Sequence, residues 1–293
     1  IPGISSTRLV DFPIFDKSLP RDEIWQWRLD YLSCVSKVKY ILLPTTHELE
    51  PQAIHALKSE FSLPIIYLIG PAIPYSNLSS SSSNDNNNSH NTDLTYFQWP
   101  SSQPSSSVLY ISQGSFLLVS QPQIDEIAAG LRLSGIRFLC VARKEARRLR
   151  EICGDDNNKG LVLEWCEQLR VLMHDAVGGF RSHCGWNSTK GVSAGVPFLT
   201  FPIISDQRLN SKMIVEDWKV GWRVKKYVYP ERLISRDEIA GLLQKFMDLH
   251  DEDGRDMRKR AKELQRVRQL SIANGGSSET NINAFIRDIT KRS

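Results

Sequence analysis

The chain has 293 residues, of which 41% are hydrophobic, and a formal net charge of +4 from 37 Lys and Arg against 33 Asp and Glu. This length is enough for two ordinary domains, each with its own core. The charge is too small to indicate nucleic-acid binding, and no apolar run reaches the roughly 18 residues that a membrane span requires. We therefore expect a soluble protein that binds neither nucleic acid nor membrane.

Five cysteines lie at positions 34, 140, 153, 166 and 184, without C-x-x-C spacing. An odd number without a pairing pattern indicates a reduced protein with neither a disulfide framework nor a zinc site. We expect a cytoplasmic monomer without a metal. The sequence opens Ile1-Pro2-Gly3 with neither an initiator Met nor a signal-peptide pattern, which we interpret as an N-terminally truncated chain.

The first part of the chain alternates between helical and strand patterns. Residues 21–36 form an amphipathic pattern, and a strand over 38–43, a helix from Pro51 to about residue 60 and a strand over 64–69 follow. Residues 77–92 are almost entirely Ser and Asn, a composition that buries too little apolar surface to order itself. We predict a disordered linker there, and with it a domain boundary.

A second α/β unit follows the linker. A buried strand over 108–111 leads into the turn Ser112-Gln113-Gly114-Ser115, and two apolar runs at 176–182 and 196–201 indicate buried parallel strands. Ser235 and Glu238 have the spacing of a capping box. The remaining predicted elements are helices at 122–133, 143–150, 208–218, 235–249, 255–269 and 281–289, and strands at 136–142, 161–163 and 220–224.

The most informative stretch runs from Trp165 to Gln207. Between its two apolar runs lies the turn His183-Cys184-Gly185-Trp186-Asn187-Ser188, in which Asn187 or Ser188 is placed to cap a following helix. A strand that enters a helix through such a turn directs free N–H groups and the positive end of the helix dipole at one point. That point suits a phosphate.

Four pieces of this stretch fall in a fixed order: W-C-x-Q at 165–168, H-C-G-W-N-S at 183–188, A-G-V-P at 194–197 and D-Q at 206–207. Together they resemble the signature box of the plant UDP-sugar-dependent glycosyltransferases, the family 1 enzymes that glycosylate small secondary metabolites. The resemblance extends over essentially the whole chain.

The resemblance implies a role for each matched residue. Trp165 would stack on the uracil and Gln168 would reach the ribose; His183, Asn187 and Ser188 would hold the diphosphate. Trp186 would contact the sugar, and Asp206 and Gln207 would hydrogen-bond its hydroxyls. Ser112 and Ser115 match the family's second loop on the phosphate side, although the same pattern is equally typical of an ordinary βα turn. The sugar donor is a co-substrate, and no cofactor or metal is implied.

One interval departs from the family pattern. Family members carry a Glu that holds the ribose between Asn-Ser-Thr and Ala-Gly-Val-Pro, whereas here the interval is Lys190-Gly191-Val192-Ser193, one residue shorter and without a carboxylate. One residue corresponds to about 100° of helix rotation, so the deletion changes the phase of one flank or is absorbed as a local irregularity. We expect weakened affinity for the UDP-sugar.

The implied fold is α/β of the GT-B type, with two Rossmann-like domains of which the N-terminal one is only partly present. The expected domains are residues 1–76 as the end of the acceptor domain, 77–96 as linker, 97–276 as the donor domain, and 277–293 as a helix that returns to the first domain. The family's general-base His, in a Gly-His motif, and its Asp partner would lie upstream of Ile1, so no catalytic residue is assigned.

Three interpretations of function remain open. The chain is a UDP-dependent glycosyltransferase that moves a hexose, glucose by the terminal Gln207, to a hydroxyl of a small lipophilic acceptor, or it is an inactive UDP-sugar-binding fragment. A scaffold without any ligand would show no thermal shift with UDP. A dinucleotide dehydrogenase is disfavoured because no G-x-G-x-x-G with a later acidic residue occurs.

Overall fold

The computed structural model describes residues 7–8, 11–12, 21–35, 37–60, 65–70, 95–112, 114, 119–153, 159–186, 190–204, 206–224 and 233–291. By its internal contacts the chain divides into two units, residues 1–80 together with 264–293, and residues 81–263. The Ser/Asn linker predicted at 77–92 lies outside the described residues. The domain boundaries inferred from the sequence therefore stay predictions.

The described part of the chain alternates between helices and strands along most of its length. The helices are α1 (Arg21–Val35), α2 (Pro51–Glu60), α3 (Thr95–Ser101), α4 (Gln121–Ser134), α5 (Ala146–Cys153), α6 (Gln168–Leu172), α7 (Gln207–Lys212), α8 (Arg236–Met247), α9 (Glu252–Ile272) and α10 (Ser277–Thr290). The strands are β1 (Tyr40–Leu43), β2 (Ile65–Leu68), β3 (Val108–Ser112), β4 (Arg137–Val141), β5 (Gly160–Leu163), β6 (Val177–Ser182), β7 (Phe198–Thr200) and β8 (Gly221–Arg223).

In the first unit, β1 and β2 form a parallel pair against which α10 packs. The ring of Phe285 lies 5.8 Å from that of Tyr40 and 5.5 Å from that of Tyr67. The Tyr67 hydroxyl donates a hydrogen bond to the Asp288 carboxylate, and this bond raises the pKa of Tyr67 to about 12. The last helix is thus held on the first sheet by an aromatic cluster and a charge-assisted hydrogen bond.

The second unit contains six parallel strands in the order β5-β4-β3-β6-β7-β8. The chain starts in the middle at β3, builds outward to β5, and then returns to continue from β6 on the other side. This is the strand order of a doubly wound Rossmann-like sheet, and its switch point lies between β3 and β6. In such sheets ligands bind where the carboxyl ends of those two strands diverge.

Both faces of this sheet are covered, which explains why its strands are continuous apolar runs. All five residues of β3 are buried, and α4 and α8 pack together over one face. Gly130 permits this close approach, because a Cβ there would lie 2.7 Å from Cγ2 of Ile239. The capping box predicted for α8 is confirmed, since the Ser235 hydroxyl accepts from the Glu238 N–H and the Glu238 carboxylate accepts from the Ser235 N–H.

The helix predicted at 208–218 is interrupted. It is an α-helix only over α7 and continues as a π-helical turn over Met213–Asp217. The wider turn accompanies a buried cation, because Lys212 is 2% exposed and its Nζ reaches Oδ1 of Asp217 at 3.0 Å. The sequence pattern could not predict the π-helical turn, because the turn accompanies the pairing of the buried Lys212 with Asp217, five residues later in the chain.

Candidate functional site

The imidazole of His183 lies at the switch point of the sheet. His183 follows β6 directly, and Gly114 stands two residues beyond the end of β3. A Cβ on Gly114 would lie 2.7 Å from Nε2 of His183, and a Cβ on Gly185 would lie 2.6 Å from the same atom. The ring is therefore held between two residues that have no side chain, and Gly114 also has φ +80°, which favours glycine. Sequence reasoning selected His183 but missed this pair of glycines.

The surroundings of His183 favour its neutral form. Burial lowers the pKa of His183, and the nearby charge of Arg181 lowers it further, while the Ser112 carbonyl and the Asp206 carboxylate offset part of the change. Its Nδ1 is buried and has no hydrogen-bond partner in the described parts of the chain. A neutral imidazole carries one N–H, and at a strand end such a donor suits an anionic ligand.

The turn after His183 is fixed by its own backbone. Cys184 has φ +63° and is fully buried, and its N–H donates to Oγ of Ser182 at 2.9 Å. Burial raises the pKa of the Cys184 thiol to about 12, so the thiol stays protonated and unreactive at neutral pH. Cys184 therefore has a packing role, and the residues beside it in the turn are the candidates for ligand contact.

Asn210 connects the turn to the Asp-Gln pair. Its Nδ2 donates to the Cys184 carbonyl at 2.9 Å and to Oδ2 of Asp206 at 2.8 Å, and its side chain is buried. One amide thus fixes the distance between the loop after β6 and the start of α7. The sequence analysis missed Asn210, although its spacing of four from Asp206, on one face of a predicted helix, was a usable signal.

Gln207 is oriented by the backbone that precedes it. Its Oε1 accepts hydrogen bonds from the N–H groups of Ile203 at 2.8 Å and Ile204 at 3.0 Å. The amide oxygen is therefore occupied, which leaves the NH₂ group as a donor. Beside it, Asp206 is exposed and one of its oxygens bonds Asn210, which leaves the other as an acceptor. An adjacent donor and acceptor suit vicinal hydroxyl groups.

Trp165 and Gln168 lie farther along the same edge of the sheet, after β5. The Trp165 side chain is 59% exposed, and the next residue, Cys166, is buried with its Sγ 3.5 Å from the Tyr110 hydroxyl. This contact anchors the loop beneath an exposed indole. Since β5 is three strands from β6 and strands lie about 4.8 Å apart, the two strand ends are separated by roughly 14 Å.

Three of the predicted site residues, Ser115, Asn187 and Ser188, lie outside the described residues. Trp186 is 37% exposed, whereas Ser112 is buried and contributes its carbonyl to the surroundings of His183. The shortened interval is a 3₁₀ helix over Lys190–Ala194, not an α-helix, so it takes the form of a local irregularity. Its effect on affinity stays a prediction.

His174 has a structural role. Its Nδ1 accepts from the Ala176 N–H at 3.1 Å, so the proton is on Nε2, which lies 3.1 Å from Oγ of Ser101. Both nitrogens are therefore engaged. Among the described residues, no group of three or more His, Cys, Asp and Glu is placed to hold a metal ion, and no described helix is long and apolar enough to cross a membrane.

Residues 71–228 match the family model described as UDP-glucoronosyl and UDP-glucosyl transferase, which is more than half of the chain. The chain belongs to this family. It is 46% identical to UDP-glycosyltransferase 87A1 of Arabidopsis thaliana over 303 aligned residues, which cover 99% of this chain and 64% of that protein. UDP-glycosyltransferase 87A2 of the same plant is also 46% identical, with 99% of this chain and 62% of that protein covered. The chain thus spans under two thirds of their length.

Solved structures of the family have the same fold. UGT71G1 of Medicago truncatula, complexed with UDP-glucose, has a TM-score of 0.81 at 30% identity and covers 99% of this chain and 62% of its own. UGT2 of Phytolacca americana, complexed with UDP-2fluoro-glucose and pterostilbene, has a TM-score of 0.80 at 30% identity and covers 98% of this chain and 61% of its own. The predicted α/β fold of the GT-B type is confirmed.

Proposed function

We propose that this chain supplies the donor-binding half of a UDP-dependent glycosyltransferase that transfers a hexose, glucose, to a hydroxyl of a small lipophilic acceptor such as a flavonoid, phenolic or hormone. The observation that carries this proposal is the neutral His183 imidazole, held between Gly114 and Gly185 at the switch point and near enough to Asp206 to be affected by its charge. An anion-binding group at that position and a hydroxyl-binding pair beside it match the two ends of a sugar diphosphate.

Along the carboxyl edge of the sheet, the candidate residues follow the order of the parts of a UDP-sugar: base, ribose, diphosphate and sugar. The exposed indole of Trp165 offers a flat face for a base, with Gln168 beside it for the ribose. The imidazole of His183 would donate to the diphosphate, aided by Asn187, Ser188 and Ser115. Trp186, together with the NH₂ of Gln207 and the carboxylate of Asp206, would bind the sugar.

In the proposed reaction the acceptor oxygen bonds to the anomeric carbon of the sugar while the bond from that carbon to the β-phosphate oxygen breaks. The hydroxyl proton passes to a general base, and the electron pair of the broken bond leaves on UDP. Hydrogen bonds from His183 to the diphosphate would stabilise that leaving group. We propose that the reaction needs no metal, so that chelation with EDTA leaves donor binding unchanged.

A second function, binding without turnover, is favoured by one observation. The family's base is a His that follows a Gly, and none of the six His residues in this chain does so. General-base catalysis is typically worth about 10² to 10⁴ in rate. We therefore propose that these 293 residues alone bind UDP-sugar with little transfer.

Titration calorimetry with the purified chain tests both proposals. We expect UDP and UDP-glucose to bind, ADP to bind at least about tenfold more weakly, and sugar transfer to a phenolic acceptor to be near background. Absence of UDP binding would refute the donor-site proposal. Binding together with rapid transfer would refute only the second function.

A further inference from the structure

The aromatic ring of Tyr110 belongs to a packed row of rings inside the second unit. Tyr110 on β3 is in register with Phe180 on β6, which is in register with Phe198 on β7. Neighbouring ring centroids in this row are 5.3 Å apart, and all three residues are almost fully buried. A phenylalanine at position 110 would fill the same space. The packing of the row therefore explains the ring of Tyr110 but not its hydroxyl.

The hydroxyl of Tyr110 contacts a thiol. It lies 3.5 Å from Sγ of Cys166, and both residues are buried. Burial raises the pKa of Tyr110 well above its ordinary value and the pKa of the Cys166 thiol to about 11, so both groups are protonated at neutral pH. A thiol is both a weak donor and a weak acceptor. The contact with Cys166 therefore recovers little of the free energy that burying a hydroxyl costs.

This contact brings the loop after β5 toward the switch point of the sheet. Because β4 lies between β5 and β3, and strands are about 4.8 Å apart, β5 is roughly 10 Å from β3. Leu163, the last residue of β5, is still paired with β4, since its carbonyl accepts from the Ala142 N–H at 3.0 Å. Between Leu163 and Cys166 the chain therefore crosses the end of β4. Trp165, which is 59% exposed, directly precedes the anchored Cys166.

The same hydroxyl also lies near the phosphate side of the candidate site. Ser112 stands two residues after Tyr110, on the same face of β3, and its side chain offsets part of the rise in the pKa of Tyr110 that burial causes. The carbonyl of Ser112 in turn acts on the imidazole of His183. One hydroxyl on β3 thus adjoins the loop that carries Trp165 and the residue that faces His183.

We propose that Tyr110 is a positioning residue for the sugar donor. Its hydroxyl sets the distance between the indole of Trp165 and the turn that begins at His183, so that one UDP molecule reaches both. Two subsites joined by a short ligand bind it tightly only when their spacing matches that ligand. A spacing set for uracil does not suit the larger base of ADP, so Tyr110 contributes to base selectivity. This inference deepens the proposed function and rests on it.

Tyr110→Phe tests the proposal, because it removes one oxygen atom and keeps the row of rings. We expect the Kd for UDP to rise about fivefold, the worth of one hydrogen bond, while the Kd for ADP changes less than about twofold. Competition against a fluorescent UDP analogue measures both values. Tyr67→Phe is the matched control, since it removes the hydroxyl of another buried tyrosine, which bonds Asp288 in the first unit. It should leave both Kd values unchanged.

Cys166→Ala removes the same contact from the other side. It should lower the preference for UDP over ADP by a similar factor. The double variant with Tyr110→Phe should be no worse than either single variant, because both changes remove one shared contact. In each variant we expect faster hydrogen exchange at the amides of residues 164–167 and unchanged protection of β3.

The proposal is overturned if Tyr110→Phe binds UDP as tightly as the unsubstituted chain does. It is also overturned if the variant loses affinity for UDP and ADP equally, since a purely structural role would weaken both. Additive losses in the double variant would mean that Tyr110 and Cys166 act separately, which contradicts the proposal as well. If the unsubstituted chain does not bind UDP, the proposed function itself is refuted and this inference with it.

Discussion

The two ends of β6 each carry a histidine, and the two side chains have opposite surroundings. At the amino end, His174 uses both ring nitrogens, one to accept from Ala176 and one to bond Ser101. At the carboxyl end, His183 has a buried Nδ1 without a described partner and a ring enclosed by glycines. A histidine whose two ring nitrogens are both hydrogen-bonded stabilises the fold. A histidine with one nitrogen left over is the better candidate for contact with a ligand. The carboxyl end of the strands is also where doubly wound sheets bind ligands.

The comparison is tested most strongly by removing each imidazole. His183→Ala should raise the Kd for UDP by about 10- to 100-fold, the usual worth of a hydrogen bond to a charged group. His174→Ala should leave the Kd unchanged but lower the free energy of unfolding by about 1 to 3 kcal/mol, because the buried N–H of Ala176 loses its acceptor. Calorimetry and denaturant unfolding measure the two effects.

If both substitutions weakened UDP binding equally, the distinction between the two strand ends would be wrong. If His183→Ala changed the free energy of unfolding but not the Kd for UDP, His183 would have a structural role like that of His174. His183→Gln serves as the conservative variant, since its amide keeps one donor near the ring position and should restore part of the affinity.

The enclosure of the ring can be broken without removing it. Gly185→Ala places a Cβ 2.6 Å from Nε2 of His183, so the imidazole must move. We expect UDP affinity to fall about tenfold, because the donor loses its alignment. Gly241→Ala is the matched control, since Gly241 lies at an exposed position of α8 and no atom lies within 4 Å of the added Cβ. It should bind UDP normally and be more stable by about 0.5 to 1 kcal/mol.

Unchanged affinity in Gly185→Ala would show that the ring position is not critical. A side-chain shift of His183 in the crystal structure of the variant, together with lost affinity, would establish the enclosure as the cause. Stability measurements on both glycine variants separate this effect from general unfolding.

Asn210 extends the comparison to the sugar end of the candidate site. Asn210→Leu removes the donor shared by the Cys184 carbonyl and Asp206. We expect the Kd for UDP-glucose to rise about fivefold, the worth of one hydrogen bond, and the Kd for UDP to change less. Competition of the two ligands against one fluorescent UDP analogue measures the ratio directly. An equal loss for both ligands would place Asn210 in the support of the phosphate loop alone.

The sequence predicted the alternation of strands and helices well, because periodicity and turn residues are local signals. It also predicted that His183, Trp165 and the Asp-Gln pair belong to one site. Their order and spacing match a family motif, whereas none of them is informative alone. It could not predict the glycine enclosure of His183, since Gly114 and Gly185 meet only when β3 and β6 become neighbours. The burial of Arg181, which is 6% exposed, was also missed, although a charge within a run predicted to be a buried strand was its signal.

The smallest expected effect concerns pH. In the free protein, burial and the charge of Arg181 hold the pKa of His183 below its ordinary value. A diphosphate beside the ring would raise that pKa, so binding should take up a proton and strengthen as the pH falls. We expect UDP-glucose affinity to rise about threefold from roughly pH 8 to roughly pH 6, and not in His183→Gln. UDP-glucose is the proper probe, since its diphosphate is fully esterified and does not itself titrate in this range.

Stability without ligand should have the opposite dependence. Because the unfolded chain takes up the proton at a higher pH than the folded one, the contribution of His183 is fully present above the ordinary pKa of about 6.5. It is lost as the pH falls through the window between that value and the lowered pKa. Thermal unfolding over this window should therefore show a steeper decline for the unsubstituted chain than for His183→Gln. Equal declines would mean that the imidazole is solvated, which would contradict its enclosure at the carboxyl end of β6.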